Sequence, residues 1–151
     1  MTTDLFDLQN TKDLFNEIQL AIVEYHKVPT SRLLLFLVFS LNHLREWIAE
    51  SSYEEIHTKI KSKKKLTTGE HFFREIWKLE EFKIVNELCN RSKHYNIKKN
   101  IANTSVTKGF TVNSCCGDSL DQVYYSINGI DSRAIFAPLI REYNTWFCNH
   151  T

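Results

Sequence analysis

Hydrophobic positions recur at helical spacing along most of the chain. Leu14, Phe15, Ile18, Ala21, Ile22 and Tyr25 form one apolar stripe, with Asp13, Glu17 and Glu24 mostly off it. That pattern predicts an amphipathic helix over residues 11–27. Asn10 or Thr11 caps its start by accepting from an otherwise unpaired amide of the first turn, and Pro29, without an N–H, marks its break. A second helix starts near Thr30 or Ser31. Its LLLFLVFSL run is apolar on nearly every side, as expected of a central helix touched by several neighbours. Beyond Leu41 the stripe narrows to Leu44, Trp47 and Ile48, which leaves a wet face. Residues 51–62 read as a short helix with Tyr53, Ile56 and Ile60 inward and a Ser52–Glu55 capping box. TTGEHFFREIW predicts another short helix holding Phe72, Phe73, Ile76 and Trp77.

The next clear helix is LEEFKIVNELCNRSKH. Ile84, Val85, Leu88, Cys89 and Ser92 share one face, while Asn86, Asn90, Lys93 and His94 make a continuous polar stripe. Residues 100–130 then change period. Val106, Phe110 and Val112, and later Val123, Tyr125 and Ile127, alternate with polar residues, which predicts a β-hairpin with strands at about 108–115 and 122–128. Asn128-Gly129 turns the chain. A final helix opens at Asp131 or Ser132 and carries Ile135, Phe136, Leu139, Ile140, Tyr143, Trp146 and Phe147 inward. Pro138 predicts a kink or a restart near Ala137. The fold class is therefore mainly α: a bundle of four main helices plus short helices, with a β-hairpin inserted before the last helix.

Composition supports that reading. A chain of 151 residues, 42% hydrophobic and 25% charged, fits one domain, residues 1–151, able to bury its own core. Four glycines and two prolines are too few for the many tight turns of a β-sandwich. The formal charge of +1 makes no case for nucleic acid on average, but the lysines are clustered. Lys59, Lys61, Lys63, Lys64 and Lys65 lie in one run, and Lys98 and Lys99 in another, so a local positive patch competes with a solvated linker. Cys89, Cys115, Cys116 and Cys148 form no CxxC pair, and no histidine or carboxylate spacing marks a metal site. No metal or other cofactor is expected. The glycines do not cluster as a phosphate-binding or dinucleotide fingerprint requires. The start MTTDLFDLQN lacks an apolar leader core, and the longest apolar run, Leu33 to Phe39, is too short to cross a bilayer. These features predict a cytoplasmic protein with reduced thiols and no membrane partner.

The chemistry concentrates at the end of the fifth predicted helix. His94 exchanges a proton near neutral pH. Asn90, one turn earlier, is placed to orient the ring or to meet a phosphate, and Arg91, Lys93 and Asn86 offer further contacts to an anionic backbone. His43 and Trp47, four residues apart, make a second polar spot, with Glu46 beside them. His94, Asn90, Lys93 and Arg91 form a kit for metal-free RNA cleavage: a base for the 2′-hydroxyl, cations for the charged phosphorus centre and an acid for the leaving oxygen. An ordinary polar helix end is the competing account, since Lys, Arg and His favour the negative end of the helix dipole.

NRSKH, Asn90 to His94, and HLREW, His43 to Trp47, resemble elements of the HEPN superfamily of small helical bundles, in particular an NxxKH-type variant. The resemblance extends over most of the chain through helix order and the late hairpin. It implies an RNA-directed protein acting as a homodimer, many relatives being metal-independent ribonucleases of toxin–antitoxin or phage-defence systems. The usual motif separates Arg from His by four to six residues, whereas Arg91 and His94 are separated by two. The implied roles therefore rest on His94 as acid or base and Asn90 beside it, with Arg91, Lys93 and Asn86 toward substrate. The alternative on the same fold is a non-catalytic interaction module with a protein partner: an antitoxin, an immunity protein or a scaffold.

Overall fold

The computed structural model describes residues 6–93 and 102–150. Helix α1 (Thr11–Lys27) begins at Asn10, whose side chain accepts from the amides of Lys12 and Asp13 while Asp13 answers with a capping box. Helix α2 (Ser31–Ala49) is capped by Thr30, and α3 (Tyr53–Lys61) by the predicted Ser52–Glu55 box. Helix α4 (Thr68–Ile76) repeats that box with Thr67 and Glu70. Helix α5 is described over Glu80–Lys93, and α6 runs from Ser132 to Asn149. Between α5 and α6 lies an antiparallel sheet of order β1-β2-β3: β1 (Thr104–Lys108), β2 (Val123–Ile127) and β3 (Ile130–Asp131).

Helix α2 is the hub. It packs on α1, α4 and α5, while α6 closes against α1 and α5. One apolar core joins Phe15, Ile18 and Tyr25 of α1 to Leu37, Leu41 and Leu44 of α2, Phe82 and Val85 of α5, and Phe136, Leu139 and Tyr143 of α6. Two buried hydroxyls fasten it. Tyr143 donates to the Leu41 carbonyl at 2.7 Å, and Tyr25 lies 2.8 Å from Ser132 Oγ. Such buried polar pairs fix register between helices, because leaving either group unpaired costs about 1–3 kcal/mol. A second small core, Ala49, Ile56, Leu66 and Phe73, holds α3 and α4 to the end of α2.

Five expectations change. The first strand is 104–108, not 108–115. Gly109 adopts φ +91°, and its amide donates to the Gln122 carbonyl, so the ladder closes there. Phe110 and Val112, expected in that strand, are 82% and 100% exposed in the following loop. The tight hairpin instead joins β2 to β3. Asn128 and Gly129, both at positive φ, make its two-residue turn. Second, Tyr53 and Ile60 do not face inward: they are exposed, and of the three predicted positions on α3 only Ile56 is buried. Third, α6 does not restart near Ala137 but is continuous through Pro138. The carbonyl that loses a partner to Pro138 is that of Ala134, an exposed residue on the solvent side of the helix, where the missing bond costs least. Fourth, the second half of α2 has little wet face. Asn42 and Arg45 are buried because α4 and α5 cover them, whereas Leu35 and Phe36 in the first half are exposed. Fifth, on α5, Ser92 lies off the buried face and its hydroxyl donates to the Cys89 carbonyl.

Candidate functional site: the seam between α2 and α5

The polar residues of α2 and α5 meet. Asn86 Nδ2 donates to Asn42 Oδ1 at 2.8 Å, and Asn90 Nδ2 donates to Asn86 Oδ1 at 3.2 Å. One turn on, His43 Nε2 lies 4.0 Å from Cys89 Sγ, and His43 Nδ1 lies 3.7 Å from Glu46. These contacts bring a polar face of α2 against the polar stripe of α5. Sequence spacing places each stripe on its helix but not the two stripes together. The buried end of this hydrogen-bonded chain is Asn42, which directly follows the apolar run of α2 and which sequence reading passed over.

Charge follows the same seam. The neighbouring His43 ring, with Arg45 and Lys93 nearby, holds the Glu46 carboxyl below its usual range. Burial pushes the Cys89 thiol up, against the opposing pull of Lys93. Cys89 is therefore a packed, protonated thiol rather than a nucleophile. All four cysteines are free. Trp47, one turn after His43 on α2, is half-buried and packs on the main core.

Of the residues expected at the site, Asn86, Asn90, His43 and Trp47 lie on or beside the seam, and Lys93 is exposed at its end. Arg91 is engaged elsewhere. Its guanidinium binds Glu87 at 3.0 Å and the Ala102 carbonyl, while Glu87 accepts from the Ala102 amide at 3.0 Å. This pair clamps the chain on its way into β1. His94, Lys98 and Lys99 lie outside the described residues. In the other lysine run, Lys59 is bound to the fully buried Glu70, leaving Lys61, Lys63, Lys64 and Lys65 exposed. Among the described residues, no cluster of three His, Cys, Asp or Glu side chains could hold a metal ion, and no helix is long and apolar enough to cross a membrane.

No family model, curated protein or solved structure matches the chain. The site is therefore read from its own geometry.

Two further features were not visible as motifs. Arg133, at the start of α6, is buried between Asp118 (3.0 Å) and Asp131 (2.7 Å), and Tyr124 donates to Asp118 at 2.8 Å. Paired with Arg133, the Asp118 carboxyl is held far below its usual range. This knot ties the 109–122 loop to α6. Arg45, on α2, is buried as well.

Proposed function

We propose that this chain is an RNA-directed protein of HEPN-like type, acting as a homodimer, with the α2–α5 seam as the place where RNA is handled. The observation that carries the reading is the meeting of Asn42 with Asn86, and through it Asn90, beside His43 and Cys89, with Lys93 acting on the Glu46 carboxyl. It builds a polar, hydrogen-bonding strip on two rigid helices that leads to the end of α5. In this reading His94, the residue after Lys93, is the acid or base. Asn90 orients it or meets a phosphate oxygen, and Lys93 neutralises the backbone. Arg91 contributes by securing the Ala102 segment through its bond to the carbonyl. His43 and Glu46 supply a second proton-handling pair beside it.

A second reading, a non-catalytic protein-interaction module, is favoured by one observation: Asn86 and Asn90 spend hydrogen bonds on Asn42 and on each other inside one chain. The test is cleavage of total cellular RNA in EDTA by the wild type and His94→Ala. Defined cuts that fall by about 100-fold or more in the variant are the expected result, the usual contribution of a positioned acid or base. Folded wild type that leaves RNA uncut transfers the assignment to the interaction module.

A further inference from the structure

The fold buries two arginines to the same degree and treats them oppositely. Arg133 is 7% exposed and is held by two carboxylates. Arg45 is 6% exposed, and none of the ion pairs among the described residues includes it. Its Nε is fully enclosed and has no hydrogen-bond partner. What surrounds the guanidinium is aromatic: Phe73 at 4.1 Å, Phe82 at 4.4 Å and Trp77 at 5.1 Å from ring centre to Cζ. Cation–π contact offsets part of the loss of water, but a buried charge with no counterion remains costly. Burial lowers the affinity of the group for its proton, yet a guanidinium stays charged at neutral pH.

This arginine lines a cavity of about 630 Å³. Its other walls include Tyr53, Ile60, Trp77 and Arg74, with Lys78, already paired to Glu75, beside them. No Asp or Glu is among the described residues that line it. Tyr53 and Ile60 are the two α3 positions whose helical pattern points toward the protein and which nevertheless remain exposed, at 59% and 40%. They face open space rather than core. Tyr53 also stacks on His57, 5.8 Å between centroids at 10°, which presents a flat surface. The cavity thus combines an unpartnered forked donor, an excess of positive charge and uncovered flat apolar walls.

We infer that the cavity between α2, α3 and α4 is a binding site for a small ligand that joins an oxyanion, carboxylate or phosphate, to a flat ring. The oxyanion pairs with Arg45, whose fork matches either group, and the ring lies against Tyr53 and Trp77. The site takes a free small molecule; it shares one wall residue, Asn86, with the α2–α5 seam but does not rest on the RNA reading of that seam.

Isothermal titration of the full chain with 1-naphthoate, 1-naphthyl phosphate, inorganic phosphate and 1-naphthol tests it. One or both naphthyl oxyanions are expected to bind saturably at one site, and which of them binds more tightly tells carboxylate from phosphate. Inorganic phosphate and 1-naphthol are expected to bind at least about tenfold more weakly, since each lacks half of the recognition. Arg45→Met, which keeps the bulk among the aromatic rings, is expected to weaken binding by roughly thirtyfold or more, the loss typical when one member of a buried charge pair is removed. Tyr53→Ala alters an exposed side chain and leaves the core intact. It is expected to weaken both naphthyl ligands by about threefold to tenfold through lost stacking, and it decides the matter if Arg45→Met does not fold. The inference is overturned if neither naphthyl oxyanion saturates, if 1-naphthol binds as tightly as both, or if a folded Arg45→Met or Tyr53→Ala binds like the wild type.

Discussion

At the residue scale, Glu70 shows how one buried carboxylate organises its surroundings. It is fully buried, accepts from Lys59 Nζ, from the Thr67 amide at 2.8 Å and from Ser51 Oγ at 2.8 Å, and so joins α3, the α2–α3 turn and the cap of α4. The Lys59 hydrogen bond, then that of Thr67, pulls its pKa down to about 2 against the opposing effect of burial. Because the folded value lies below the ordinary carboxylate value, its contribution to stability is present above the unfolded pKa and is lost as pH falls through the folded one. Wild-type stability is therefore expected to decline between about pH 4.5 and pH 2 with a component that Glu70→Gln lacks. At pH 7 the variant is expected to be less stable by about 1–3 kcal/mol, the cost of leaving buried donors unsatisfied. Urea midpoints of both proteins across that pH range check the sign and the size. Composition alone gave Lys59 to a charge run. Only the packed structure shows that this one lysine has a buried counterion while its neighbours remain in solvent.

At the element scale, α4 lies tightly against the end of α2 at Gly69. A Cβ added at Gly69 would overlap the Ile48 carbonyl oxygen and crowd the Ala49 backbone. Neither neighbour is the tip of a flexible side chain, so the helices would have to part. Gly69→Ala is expected to destabilise the fold by about 1–3 kcal/mol, despite the better helix propensity of alanine. Thermal unfolding, with the near-ultraviolet signal of the aromatic residues as a second probe, measures it. An unchanged midpoint would show that α4 shifts freely on α2. The helices themselves were legible from spacing: α1 matches its predicted limits, 11–27, and the Ser52–Glu55 box forms as written. The strand did not follow from spacing. Val106, Phe110 and Val112 keep a two-residue period, but the strand ends at Gly109 because its partner β2 supplies only five residues of ladder, Val123 to Ile127.

At the scale of the whole molecule, the knot of Arg133 with Asp118, Asp131 and Tyr124 connects the long loop, the sheet and the last helix. Arg133→Met would leave two nearly buried carboxylates facing each other with no cation between them. The expected loss is about 3–5 kcal/mol at pH 7. It should shrink as pH falls through the carboxylate range, because protonation removes the repulsion, and in the double variant Asp118→Asn/Arg133→Met, which removes one of the two charges. Denaturant unfolding of the single and double variants at pH 7 and pH 4 measures both, and equal losses in the two proteins would rule out the charge argument. The 109–122 loop should also become more open to proteolysis in the single variant, since Asp118 is its main tie to α6.

What the amino-acid sequence determined by itself is the content of each local segment: the helices, their caps, the Asn128-Gly129 turn and the polar stripe of α5. These depend on residues within a few positions of one another, where dihedral preference, capping and period-3.6 burial act directly. The tertiary structure decided which stripes meet. Asn42 joins Asn86 across 44 residues, Asp118 reaches Arg133 across 15, and Arg45 is enclosed by rings from α4, α5 and the turn between them and is in none of the ion pairs among the described residues. Such pairings are set by how helices close on a shared core, and no periodicity within a single helix encodes which polar residue of another will lie opposite.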